Sequence, residues 1–280
     1  QPTLVAAQKA DLKMKVNNSH GPVAAHISGL TLSNSHLELN LQGDWREGGA
    51  SAAGIANMTG AIVRLSAPEL YRYMTIETTE DVRHWLRDSL VQGEFRQAAL
   101  TLQGDLSEFP FNLPHEKGIF KIDGLYHDLI LDYAPAKPET KGWPALAYTD
   151  GSIQINQLGL KMQSATGTLL GAHGERLKLA NLNVSIPDMG IQPLLSLDMS
   201  LQSETGLFLT VLRDTPLNEK LGGLFSELRG TGLVSIPLSI RADLNNLSKL
   251  QAKGQIDFAG GNLSWSEGLP ELEDIQGNLI

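Results

Sequence analysis

The run Val234-Ser235-Ile236-Pro237-Leu238-Ser239-Ile240-Arg241 decides the fold, because its apolar residues occupy every second position. Successive side chains of a strand point to opposite faces, so such a run is a strand with one dry and one wet face. The same rhythm recurs along the chain. Leu12, Met14 and Val16 keep it near the start, and Leu37, Leu39 and Leu41 alternate with Glu38, Asn40 and Gln42. Ile153-Gln154-Ile155 is followed by Leu158-Gly159-Leu160-Lys161-Met162, and Leu177-Lys178-Leu179 by Leu182-Asn183-Val184-Ser185-Ile186. Turn-forming residues such as Asp150-Gly151, Gly171 and Gly260-Gly261-Asn262 separate the runs at hairpin-like intervals. These features predict a mainly β fold: a large antiparallel β-sheet with a few short helices.

The helices carry their own signals. Ser66-Ala67-Pro68-Glu69 has the form of a capping box opening a short helix through Leu70 to Met74. Thr78 or Thr79 caps a second, with Val82, Trp85, Leu86 and Leu90 on one face and Gly93 as its stop. Thr215-Pro216 opens a third, striped by Leu217, Leu221, Leu224 and Leu228 and stopped by Gly230; Leu207 to Leu212 is a further short helix. Helices placed between groups of hairpins favour an antiparallel sheet over a doubly wound one. A weak repeat, Gly followed by apolar residues at alternate positions, fits Gly118 to Ile122, Gly151 to Ile155 and Gly254 to Phe258.

Composition narrows the function. With 41% hydrophobic and 19% charged residues, the 280-residue chain can bury a core and is not disordered. Its net charge of -9 argues against nucleic acid as a partner, since phosphate binding needs basic patches. Cysteine is absent, which removes disulfides, thiolate metal sites and Cys nucleophiles. No stretch approaches the roughly 20 apolar residues of a membrane helix. The chain starts at Gln1 without Met and stops at Ile280 within an apolar alternation, which reads as an internal segment of a longer protein with any anchor elsewhere.

Catalytic spacings are missing. His20, His26, His36, His84, His115, His127 and His173 show no paired-ligand spacing for a metal. There is no Gly-x-Ser-x-Gly elbow, and Gly222-Gly223 lacks the Lys and Ser/Thr of a phosphate loop. Glu80-Asp81 suits a helix start, while Glu271, Glu273 and Asp274 leave open a carboxylate pair of the glycosidase kind. Sequons at Asn17, Asn57, Asn183, Asn246 and Asn262 are of the frequency expected by chance. The expectation is a non-enzyme with no cofactor.

One segment is more specific. Thr78-Thr79-Glu80-Asp81-Val82-Arg83-His84-Trp85-Leu86 runs through Gly93-Glu94-Phe95 to Ala99-Leu100-Thr101-Leu102-Gln103-Gly104-Asp105 and Phe109-Pro110-Phe111. Leu131-Asp132-Tyr133-Ala134-Pro135, Gly142-Trp143-Pro144 and Gly230-Thr231-Gly232 follow. As a set these resemble the YhdP-like branch of the AsmA-like proteins from about Ile62 to Ile280; before that, only the strand rhythm and Gly43-Asp44-Trp45 agree. The resemblance implies that the antiparallel sheet is curved and groove-like, one part of a long periplasmic body of β-groove units anchored in the inner membrane by a segment outside this chain. It implies a bridge-like lipid transfer role, with phospholipid and the bacterial inner and outer membranes as partners of the full-length protein. Residues 1–65 would be the first strands of the groove and 66–280 its helix-bearing region.

On that basis the candidate lipid-lining residues are Phe120, Ile122, Leu129, Leu131, Ile153, Ile155, Leu158, Leu160, Val234, Ile236, Leu238, Ile240, Ile256 and Phe258. Alternation alone shows that one face is dry. A closed two-sheet sandwich serving as a structural module of the envelope has the same alternation, and that alternative stays open at the level of sequence.

Overall fold

The computed structural model describes residues 7–18, 21–48, 53–74, 78–113, 115–135, 141–265 and 270–279. Gln1, His20 and Ile280, read above, lie outside them. The strands, in chain order, are β1 (Lys9–Asn17), β2 (Ala24–Ser33), β3 (Leu37–Arg46), β4 (Ile55–Ser66), β5 (Leu90–Asp105) and β6 (Ile119–Leu131). Then come β7 (Ala145–Asn156), β8 (Gly159–Leu170), β9 (Arg176–Ile186), β10 (Leu194–Glu204) and β11 (Leu228–Gly230). The last are β12 (Leu233–Asp243), β13 (Asn246–Gly254), β14 (Ile256–Ala259), β15 (Leu263–Trp265) and β16 (Gln276–Leu279).

Among the described residues, fourteen of these form one antiparallel sheet. β1 to β10 follow one another as neighbours, and β12, β14 and β16 continue the order. The sheet does not close on itself, so it is neither a barrel nor a two-sheet sandwich; β11 and β15 form a separate two-stranded ribbon. Pro237 sits where the outer neighbour of β12 changes. Val234 and Ser235 pair with β14, whereas Leu238 onward pairs with β13. A residue without an N–H is tolerated at such a break in the ladder.

Two helical insertions lie at the same end of the sheet and pack on its apolar face. The first joins β4 to β5: a 3-10 helix (Ala67–Tyr73), then α1 (Glu80–Ser89). Ala67, Leu70, Tyr73 and Leu86 from it join Leu37, Leu65, Leu90, Phe95, Tyr126 and Leu129 in one apolar cluster. The second joins β10 to β12 through α2 (Thr205–Arg213), α3 (Pro216–Lys220), α4 (Leu224–Glu227) and β11. Phe208 and Val211 of α2 pack with Leu146, Leu169, Leu177, Leu179, Leu201, Val234 and Ile236.

Several local expectations change. The Ser66 side chain makes no cap hydrogen bond, and the segment is a 3-10 helix rather than an α-helix. Thr79 does cap α1, accepting from the Val82 N–H. That helix ends at Ser89, not at Gly93; Leu90 already opens β5, and Gly93 lies within the strand at φ +113°. The helix expected from Thr215 to Gly230 is broken at Gly222-Gly223 (φ +66° and +82°), a left-handed pair that an α-helix cannot contain, and Leu228 belongs to β11. The three-copy repeat is not a structural one. Gly118 precedes β6, Gly151 lies in mid β7, and Gly254 ends β13. Gly151 is where it is for Tyr126: a Cβ there would strike the Tyr126 ring and the Gln163 carbonyl.

Candidate functional site

Directly opposed residues of antiparallel neighbours share a face, so the register traces rows across the sheet. One row runs Ala10, Leu32, Leu39, Ile62 and Ala98 through β1 to β5. Gly124 lies against Ala98, and the row continues through Ile153, Met162, Val184, Leu197, Ile240 and Ala252. Twelve strands thus contribute no polar side chain, over about 53 Å at the usual strand separation. A second row crosses nine strands: Leu12, Leu30, Leu41, Gly60, Leu100, Ile122, Ile155, Leu160 and Ile186. A third comprises Met14, Ile27, Gly43, Met58, Leu102 and Phe120.

The rows differ in how they are covered. Nearest the helices the face is dry: Leu177 and Leu179 are 0% exposed and Tyr126 is 2% exposed. Most side chains of the two long rows are only half-buried: Leu39, Ile62 and Leu197 border the dry clusters, while Leu100, Ile122, Ile155, Leu160 and Ile240 stand outside them. On the edge strand Leu12 and Met14 are about half exposed, at 52% and 47%. The helices therefore form one wall over the apolar face and leave a long strip of it open.

At the opposite margin the loop after β5 folds onto the same face. Phe111 is buried against Gly104 and Gly118, and Phe109 stands edge-on to Phe120 with ring centres 4.9 Å apart. Beside it Val16, Ala25, Trp45 and Ala56 line a hollow of about 310 Å³. The Trp45 indole N–H donates to the Ala53 carbonyl at 2.9 Å. The other face of the sheet is polar, laced by Arg241 to Asp198, Thr31 to Asn40, Gln163 to Asn183 and Lys121 to Asp123.

Thirteen of the fourteen candidate residues fall on the apolar face. Leu129, Val234 and Ile236 are buried in the dry clusters, and Leu131, Ile153, Leu238, Ile256 and Phe258 pack against those clusters. Phe120, Ile122, Ile155, Leu160 and Ile240 lie on the open rows. Leu158 departs from the rest: it sits in the turn between β7 and β8 and packs beside Gly190. The twelve-strand row also holds Leu39, Ile62, Met162, Val184 and Leu197, which border the dry clusters and were not among the candidates. Their alternation is visible in sequence, but their alignment with one another is a property of the register.

Titratable groups gather in no reactive constellation among the described residues. No cluster of three or more potential metal ligands is present there. His26, His127 and His173 pair singly with Asp44, Asp150 and Asp214. Glu80 and Asp81 occupy the first turn of α1, while Glu271, Glu273 and Asp274 are exposed before β16. Burial pushes the Tyr126 hydroxyl up to about 12, and that hydroxyl donates to the Gln163 carbonyl at 3.0 Å. It is a core group. No helix among the described residues is long and apolar enough to cross a membrane.

No curated protein and no solved structure matches the chain significantly. A family model does: the one described as YhdP protein matches residues 1–280. The strip of apolar rows, walled by helices and backed by a polar face, is thus a feature of a chain that belongs to the YhdP family.

Proposed function

We propose that this chain is a periplasmic section of an inner-membrane-anchored protein and conducts phospholipid along its apolar face toward the outer membrane, supporting the permeability barrier. The observation that carries the reading is the twelve-strand row, apolar throughout and only half-buried along most of its length. A phospholipid with two 16-carbon chains loses about 25 kcal/mol on exposure to water, at roughly 0.8 kcal/mol per methylene. Source and destination are both bilayers, so a conduit need only imitate hydrocarbon without interruption. One bilayer leaflet contributes roughly 15 Å of hydrocarbon thickness. The row is several times longer than that, so acyl chains can lie on it at successive positions. Such a role asks for no reactive group and no cofactor.

A second reading, a structural module with protein partners, draws on the dry clusters beneath the helices, where the face is already closed by the chain itself. The two separate in one experiment. Purified chain is extracted and its lipid measured by mass spectrometry, before and after Ile122→Asp. The conduit predicts bound phospholipid that the substitution depletes; a module predicts none above the level of a control protein.

A further inference from the structure

The second helical insertion has a side turned away from the apolar face of the sheet. On α2, Gly206, Thr210 and Arg213 are spaced four and three residues apart and so share one helical face. Opposite them stands the β11–β15 ribbon, in which Arg229 and Ser264 are direct partners. Between the two lies a hollow of about 400 Å³, lined also by Gly230, Thr231, Asn262 and Glu271. Arg213 is held in place by its own bonds: Nε to the Phe225 carbonyl at 2.8 Å, Nη2 to the Leu228 carbonyl at 2.5 Å, and Nη1 to Thr210 Oγ1 at 3.4 Å. Arg229 binds the Ser226 and Leu228 carbonyls through Nη1. Burial first, and then the charge of Arg229, lower the Arg213 pKa. Two guanidiniums thus face one hollow in a chain of net charge -9, and none of the ion pairs among the described residues involves either.

A guanidinium offers five N–H donors in a planar fork that matches an oxyanion, so three bonds leave Arg213 two donors for a ligand. Hydroxyls and amides of Thr231, Ser264 and Asn262 are the usual companions of such a group. We propose that the hollow between α2 and the β11–β15 ribbon is an oxyanion site for a phosphate group, presented by a phospholipid headgroup or free in solution. Glu271 is its opposing charge. The site does not depend on the conduit reading, because it lies across α2 from the apolar face.

The test is calorimetric titration of the purified chain at low salt with inorganic phosphate, and separately with a soluble short-chain phosphatidylglycerol. Uncharged diacylglycerol of the same chain length is the control. Saturable phosphate binding is expected, weakened about tenfold or more in Arg229→Gln, since a charge-assisted hydrogen bond is lost. Glu271→Gln should tighten binding, and Gln154→Ala on the polar face of the sheet should not change it. Arg229→Lys, which retains charge but loses the fork, should be intermediate and serves if Arg229→Gln melts early. Competition between short-chain lipid and phosphate identifies a headgroup as the source; phosphate binding without competition identifies the free anion. Absence of saturable binding by either, or unchanged binding in a normally folded Arg229 variant, overturns the proposal.

Discussion

Placing a carboxylate on the open strip separates folding from lipid contact. Ile155 lies on the nine-strand row between Ile122 and Leu160 and is half-buried. Full burial of such a side chain is worth about 1.5–3 kcal/mol, so Ile155→Asp removes about 1–2 kcal/mol of folding free energy. A domain with about 5–15 kcal/mol of stability survives that loss. Against hydrocarbon the same carboxylate costs about 2.5–3.5 kcal/mol, which lowers acyl-chain occupancy at that point roughly 100-fold. Urea denaturation gives the first quantity, and photocrosslinking from flanking positions 122 and 160 to phospholipid gives the second. Gln154→Asp, one residue away on the polar face, should leave both unchanged. Crosslinking undiminished in a folded Ile155→Asp chain, or equally diminished by Gln154→Asp, would refute the reasoning.

Further expectations follow from the closed part of the face. Leu179→Ala, at a fully buried site, should cost about 2–5 kcal/mol in urea, against about 1 kcal/mol for Ile122→Ala on the open row. Gly151→Ala forces a methyl into the Gln163 carbonyl and the Tyr126 ring, and should lower stability by several kcal/mol, of order 3 as for overpacked cores. Burial raises the Tyr126 hydroxyl from the ordinary tyrosine value of 10.0 to about 12, so the folded state holds its proton more tightly than the unfolded state does. Its contribution is complete below pH 10.0 and is lost as pH rises through about 12, which denaturant midpoints across that range should register and Tyr126→Phe should abolish.

Much of the fold could be read from side-chain alternation, because a half-buried strand writes its period into the sequence residue by residue. Val234 to Ile240 and Leu37 to Leu41 are such strands, and Thr79 is the cap its position implies. The breaks were harder to see. Gly93 looks like a helix stop, yet β5 begins without a turn at Leu90, whose side chain is needed in the cluster with Leu37 and Leu129. Leu221 and Leu224 continue a helical stripe that Gly222-Gly223 interrupts. The rows were least accessible, since bulges at Lys13/Met14 and between Arg96 and Ala99 decide which residues of neighbouring strands meet. Hence Ile155 was identifiable as apolar-facing, while Met162, Val184 and Leu197 became parts of one path only through pairing. Arg213 and Arg229 are sixteen positions apart and share no motif; the turn of the chain through α3 and α4 brings them to one hollow.

The proposed function requires that the single apolar path crossing the sheet from β1 to β13 holds lipid along its length. Photoreactive residues placed singly at Leu39, Ile153, Leu197 and Ile240, and at Asn40, Gln154, Asp198 and Ser239 on the other face, test it in cells. The account predicts phospholipid adducts at all four apolar-face positions and none at the four polar ones. Adducts on neither face, or on both alike, would contradict it.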